Sequence, residues 1–407
     1  MKFEALGNLT LKIGSGATPR GGDASYKREG IPLIRSLNVH DGQFINRGLA
    51  YIDSEQAARL DNAVVEPSDV LLNITGASVC RCAIVPDNLT PARVNQHVCI
   101  LRTNPTILSA RYLMHLLVSP RIKTRLLAMA RRAGATREAL TKGEIEMFEI
   151  PVPGSLKEQN RIAMILDKAD AIRRKRQQAI LLADNFLRSV FLDMFGDPGL
   201  KERKSSSYKI SELIEQGILD NIQDGNHGND HPKVADFTTA GIPFVTANVI
   251  RRNSLDLDNC YHLDESWLQK LRVGFAKPRD VVITHKGTLG ETVVLNDRHP
   301  LYILSPQSTY YRCNDAFLLP EYLKAYFDTS YFQAKFKKEG VQSTRAYIGI
   351  TRQKDLNILL PSLELQKKFQ EIVFKVERTS KLLNAAYNQS SLLTLSLAQA
   401  AFSGDGS

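Results

Sequence analysis

The sequence predicts an α+β protein built twice: two tandem mixed units, each an irregular sheet with peripheral helices, separated by an antiparallel coiled coil of two long helices. Three observations carry this. Residues 156–196 and 363–402 each hold side chains that step alternately by four and three. In the first they are Ile165, Ala169, Ile172, Arg176, Ala179, Ala183, Phe186 and Val190; in the second, Ile372, Val376, Thr379, Leu383, Ala386, Ser390, Leu393 and Leu397. That spacing keeps one seam on one side of a helix. Each member of the first set precedes its counterpart by a constant interval (372 − 165 = 207). Finally, the segments before the two helices match one another at an interval of 211 (242 − 31). Gly30-Ile31-Pro32-Leu33 answers to Gly241-Ile242-Pro243-Phe244, Pro67-Ser68-Asp69-Val70 to Pro278-Arg279-Asp280-Val281, Gly76 to Gly287 and Gln96 to Gln307. An interval held over most of a chain is the mark of tandem duplication.

The order is then a first mixed unit over 1–155, a long helix over 156–196, a second mixed unit over 197–362 with 197–207 as its linker, and a second long helix over 363–407. A helix of about 40 residues rises about 60 Å at ~1.5 Å per residue. It is too long to bury its seam in one ordinary domain, so the two copies pack on each other. Within each unit, Pro-x-Asp-Val reads as a turn into a buried strand, with Asp69 and Asp280 forming the turn. Tyr112-Leu113 and Tyr322-Leu323 open short helices, and Pro151 and Pro361 close the last strand. Gln159 and Gln366 follow at the helix starts. Phe195-Gly196-Asp197-Pro198 ends the first long helix, and Phe402-Ser403-Gly404 repeats that stop.

Composition narrows the function. A 43% hydrophobic content excludes wholesale disorder, and a formal charge of +10 favours a polyanionic partner. No apolar run reaches ~18 residues, which argues against a membrane span, and the start lacks a secretory profile. A cytoplasmic location is expected. Cys80, Cys82 and Cys99, near His97, lack zinc-ligand spacing and are expected as small buried side chains, so no metal is assigned. No phosphate-binding Gly-x-x-x-x-Gly-Lys motif is present, Gly14-Ser15-Gly16 runs into Pro19, and there is no Asn-Pro-Pro-Tyr or Asp-Pro-Pro-Tyr sequence. With no nucleophile–base set visible, the chain is expected to bind without catalysing. The two copies differ most in polar, Gly-rich loops, residues 14–22 and 223–232. Loops on a rigid scaffold are where recognition resides.

The ordered, duplicated set resembles the DNA-specificity subunit of Type I restriction-modification enzymes. The resemblance covers nearly the whole chain and rests on four stretches. These are Ala17-Thr18-Pro19, Ile31-Pro32-Leu33-Ile34-Arg35, the two Pro-x-Asp-Val strands with their later Gly, and Ile150-Pro151-Val152-Pro153 leading to Glu158-Gln159 and Ile162-Ala163. The second copy departs in Leu363-Glu364-Leu365-Gln366 and in Thr246, which replaces Arg35. The resemblance implies that each mixed unit is a target-recognition domain reading one half of a split DNA site. It implies that the paired helices set the spacer and dock two modification (methyltransferase) subunits, joined by restriction (translocase and nuclease) subunits. S-adenosylmethionine, ATP and Mg would belong to those partners, not to this chain.

Reading bases needs Arg or Lys toward guanine and Asn or Gln toward adenine. The candidates are Thr18, Arg20, Arg35, Asn38, Ser78, Gln96 and Arg137 in the first unit. In the second they are Asn226, His227, Thr246, Asn248, Arg251, Lys286, Gln307 and Arg345. The Arg173-Arg174-Lys175-Arg176 run reads either as a solvated helix face or as a contact to DNA or a modification subunit. Two other functions stand beside this one: a methyltransferase or nuclease with degenerate motifs, and a protein- or glycan-binding repeat protein on a coiled-coil rod.

Overall fold

The computed structural model describes residues 1–131, 138–200, 205–227, 231–251, 254–340 and 346–402. Arg137 and Arg345 lie outside them. The chain forms two compact units, Met1–Gln178 with Asn384–Ser407, and Ala179–Leu383. Each unit thus takes in one mixed segment and half of each long helix.

In the first unit a four-stranded antiparallel sheet runs in the order Thr10–Ser15, Val98–Thr103, Val70–Asn73, Cys82–Ile84. Its central strands are apolar on both faces because both faces are covered. Val70, Leu72 and Leu101 pack toward the helices, while Leu71, Val98 and Ile100 pack toward a second sheet. That second sheet runs Ala50–Ile52, Ile31–Ile34, Ala92–Val94, Val64–Val65, with its middle pair parallel. The chain ends of the segment meet as a two-stranded ribbon, Lys2–Ala5 with Glu149–Val152.

The second unit repeats this strand for strand. Leu219–Asp224, Ser308–Cys313, Val281–Lys286 and Thr288–Val294 form one sheet, and Tyr261–Leu263, Ile242–Val245, Tyr302–Leu304 and Phe275–Ala276 the other. The ribbon is Ser206–Lys209 with Asn357–Leu360.

The shared residues have shared work. Asp69 and Asp280 each accept a backbone N–H three residues upstream at 2.7 Å, as expected for a turn. Each is also buried against an arginine on the neighbouring strand, Arg102 or Arg312, through paired hydrogen bonds of 2.7–2.9 Å. Gly30 and Gly241 sit at φ 135° and 137°, where a Cβ would meet a carbonyl oxygen at 2.5 or 2.4 Å. Gln159 accepts from Ser109 N and donates to Ile107 O; Gln366 accepts from Leu319 N and donates to Phe317 O. These two buried amides tie each helix start to its own mixed segment. One pairing needs shifting: Ile34 lies opposite Val94 as Val245 lies opposite Leu304, so the interval drops by one before that strand. His97, not Gln96, is therefore the positional equivalent of Gln307.

The long helices run Leu156–Phe195 and Leu363–Phe402. In the first unit Ile162, Ala163 and Leu166 share a core with Ala398 and Phe402, and Arg176 donates to the Ala386 carbonyl at 2.6 Å. In the second, Phe191 and Phe195 pack on Phe369. Both contacts are antiparallel. The seam keeps Ala169, Arg176, Ala183 and Val190, but the members between them are misplaced by one. Ile165, Ile172 and Phe186 are 36%, 49% and 52% exposed, and Leu393 is 57% exposed. Leu166, Arg173, Ile180 and Leu187 turn inward instead, as do Val373, Ser380, Tyr387 and Thr394 on the second helix. Steps of three-then-four and four-then-three share every second member, and Ile and Phe outside the seam drew the reading to the wrong alternative. No described helix is long and apolar enough to cross a membrane.

Candidate nucleic-acid interface

In the first unit the loop after Thr10–Ser15 passes over the end of the Ala92–Val94 strand, because Gly16 donates to the Asn95 carbonyl at 3.2 Å and leaves no room for a side chain there. This brings Thr18 to Gln96, whose amide oxygen accepts the threonine hydroxyl. The Gln96 amide nitrogen donates to His97 Nε2 at 3.2 Å, so His97 carries its proton on Nδ1 and donates to Thr75 Oγ1 at 2.5 Å. Gln96 is exposed and Thr18, Thr75 and His97 half-buried. The outcome is a surface row of amide, imidazole and hydroxyl edges, groups that match base edges. Ser78 closes the following turn, half-buried, and Arg20 is exposed.

Arg35 and Asn38 are engaged inside the fold. Arg35 reaches Asp23 at 3.3 Å and the Gly48 carbonyl at 2.7 Å, and lies 5.1 Å from the Tyr26 ring centre. Asn38 is fully buried, accepting from Arg35 N at 3.0 Å and donating to the Ile45 carbonyl at 2.9 Å.

In the second unit the equivalent loop is as closely packed at Gly225, whose Cβ would meet the Ser305 carbonyl at 1.9 Å and whose N–H donates to the Ser308 carbonyl at 2.9 Å. It carries His227, exposed, and Asn226, buried with its amide nitrogen unpartnered. Gln307 accepts from Ala247 N at 3.4 Å, placing it beside Thr246 and Asn248 on the turn after Ile242–Val245. Lys286, exposed, ends the central strand where Thr75 stands in the first unit; each bridges the same later segment, Tyr347 or Ala139. Arg251 is exposed on a short ribbon with Ser254–Leu255.

The structure therefore gathers Thr18 with Gln96, and Thr246 and Asn248 with Gln307, at the same end of the same scaffold. Sequence reasoning passed over Thr75 and His97, although His97 adjoins a chosen residue, and over a buried group behind His227. Asp224 lies 3.6 Å from His227 Nε2 and accepts from Thr309 at 2.5 Å; Thr309 in turn lies 2.6 Å from His285 Nδ1. Burial lowers the His285 pKa below the ordinary 6.5, against the opposing pull of Asp224. Cys80, Cys82 and Cys99 line the first unit's core, where burial pushes the thiols of Cys80 and Cys99 up to about 11 and about 12.

Residues 11–182 match the Type I restriction modification DNA specificity domain. The chain is 26% identical over 174 residues to the Type I restriction enzyme EcoBI specificity subunit of Escherichia coli, a match covering 41% of this chain and 35% of that protein. It thus spans about a third of the length of the curated relative it matches. Its fold is similar to that of the Type I restriction-modification S subunit of M. genitalium, with TM-score 0.61 and 14% identity over 100% of this chain and 96% of the other. It is also similar to a chain from a structure on complex assembly and conformational transition of the type I R-M system, with TM-score 0.54 and 18% identity over 100% and 98%. The resemblance seen in the sequence is borne out over residues 11–182, and across the whole chain the fold is shared.

Proposed function

We propose, for a chain that carries a Type I restriction modification DNA specificity domain over residues 11–182, that it is the sequence-reading subunit of a Type I restriction-modification complex. It does not catalyse by itself. One mixed unit reads one half of a bipartite site in double-stranded DNA and the other unit reads the second half. The observation that carries this is one scaffold, repeated strand for strand, whose matching ends present different polar edges. Thr18, Thr75, Gln96 and His97 occupy one, and His227, Thr246, Lys286 and Gln307 the other. Arg20, Ser78, Asn248 and Arg251 flank them, with phosphate contacts the natural use of the arginines.

The two 40-residue helices set the distance between the half-sites. Equivalent grooves recur about every 34–36 Å along B-DNA, so a stiff spacer gives a fixed unread gap. The apolar side chains left outside the seam, Ile165 and Ile172 in one unit and Leu182 and Phe186 in the other, suit docking of two modification subunits. Restriction subunits complete the complex. S-adenosylmethionine, ATP and Mg are held by those partners, and the complex works in the cytoplasm.

Titrating the purified chain, with and without its modification subunit, into duplex DNA at rising salt tests this reading. Affinity should fall by orders of magnitude between about 50 and 200 mM salt, as expected when lysines and arginines displace counterions. Methyl transfer should need the partner. Binding indifferent to salt and duplex, or methyl transfer by the chain alone, would overturn it.

A further inference from the structure

The polar group behind His227 has no counterpart in the first unit, although the backbone there is the same. Strand pairing sets Ser15 opposite Cys99 as Asp224 is set opposite Thr309. Ile74 and His285 hold the same place, each donating its backbone N–H across to His97 or Gln307. Leu101 pairs with Val70 as Tyr311 pairs with Val281, and Ile145 and Gln353 share a position in the short helix before the last strand. Ile74, Cys99, Leu101 and Ile145 are all buried and apolar. The scaffold folds on an apolar filling. An imidazole, a hydroxyl and an amide in its place cost desolvation that the fold does not demand.

Their hydrogen bonds fix the protons. The Tyr311 hydroxyl donates to Gln353 Oε1 at 2.6 Å, so the Gln353 nitrogen donates to Thr309 Oγ1 at 2.9 Å. Thr309 gives its one proton to Asp224 Oδ1. Its oxygen must then accept from His285, which puts the ring proton on Nδ1. His285 Nε2 is left as a bare lone pair, in a side chain with no exposure and without a hydrogen-bond partner. Among the described residues, Asp224, His227 and His285 are the one group of three His, Cys, Asp or Glu side chains whose donor atoms lie within 4.8 Å of one another.

We propose that Asp224, His227 and His285 bind a divalent cation of the zinc class, in the second unit alone. Two imidazoles and one carboxylate suit Zn²⁺ or Co²⁺ and not Mg²⁺ or Ca²⁺, which take oxygen. Thr309 holds His285 Nδ1, which lies 3.7 Å from Asp224 Oδ1, and this outer hydrogen bond orients the ring whose Nε2 carries the free lone pair. Ligand atoms about 2.0–2.1 Å from zinc lie roughly 3.3 Å apart at tetrahedral angles. His227, with its side chain 46% exposed on a loop, closes the remaining distance. The cation would clamp that loop onto the central strand, with His227 spent on the metal and Thr246, Lys286 and Gln307 left to read.

The test uses the full chain, freed of metal with a chelator and titrated with Co²⁺ by visible absorption and with Zn²⁺ by calorimetry. One equivalent should bind, with the d–d bands of nitrogen–oxygen coordination. His227→Ala should weaken binding at least tenfold and Asp224→Asn likewise, while His40→Ala in the first unit changes nothing. Because His227 is exposed, its replacement leaves the fold intact, which circular dichroism checks. No saturable binding by the unaltered chain, or equal affinity in His227→Ala, would overturn the proposal.

Discussion

Asn38 and His285 show how residue type and residue environment part company. An asparagine beside an Ile-Pro-Leu-Ile strand has the chemistry to read adenine, yet both ends of its amide are spent on Arg35 N and the Ile45 carbonyl inside the protein. Its burial follows from a single 3-10 turn over Ser36–Asn38, too short to leave a periodic trace in the sequence. Asn38→Ala would leave the half-buried Arg35 N–H and Ile45 C=O without their side-chain partner. It should lower stability by about 1–3 kcal/mol in chemical denaturation. Gln96 gave the opposite result: its sequence suits a buried, satisfied amide as well as a reading one, yet it is exposed, and its link to His97 and Thr75 needs two strands brought together.

His285 predicts a pH dependence. An unfolded histidine titrates near 6.5, and burial holds the folded value below that. Between the two values the unfolded chain binds more protons, so stability rises with pH across that window. In metal-free protein, stability should therefore drop as pH falls below about 6.5 and level off once it passes the lowered folded value. His285→Ile, the residue type found at Ile74, should remove that slope. Denaturation midpoints measured across the range decide it.

At the scale of elements, the long helices were legible in length, copy number and direction of packing, and misread in phase. A heptad seam has two readings that share every second position, and only the neighbouring surface chooses between them. Leu166 is 3% exposed in the first unit's core, whereas Ile165 is 36% exposed. Leu166→Ala should cost about 2–5 kcal/mol through transfer and cavity terms. Ile165→Ala should stay within about 0.5 kcal/mol, as surface changes do. Equal losses would restore the seam read from the sequence. The sheets were legible only as buried strands. That there are two per unit, stacked, depends on Leu71 and Leu72 facing different cores, which a continuous apolar run conceals.

For the whole molecule, duplication is the controlling fact, and the sequence displayed it because Gly, Pro and Asp at turns tolerate few substitutes. Each unit closes on the end of the other copy's helix. Phe402 packs on Tyr112 at 5.6 Å, and Phe195 on Tyr322 at 4.8 Å. A unit exchanged between relatives should therefore keep those aromatic contacts. The decisive measurement exchanges residues 1–155 for those of a relative with another specificity and sequences the methylome of cells carrying the full complex. One half of the bipartite methylated motif should change, with the other half and the gap unaltered. A motif that changes in both halves would contradict the account.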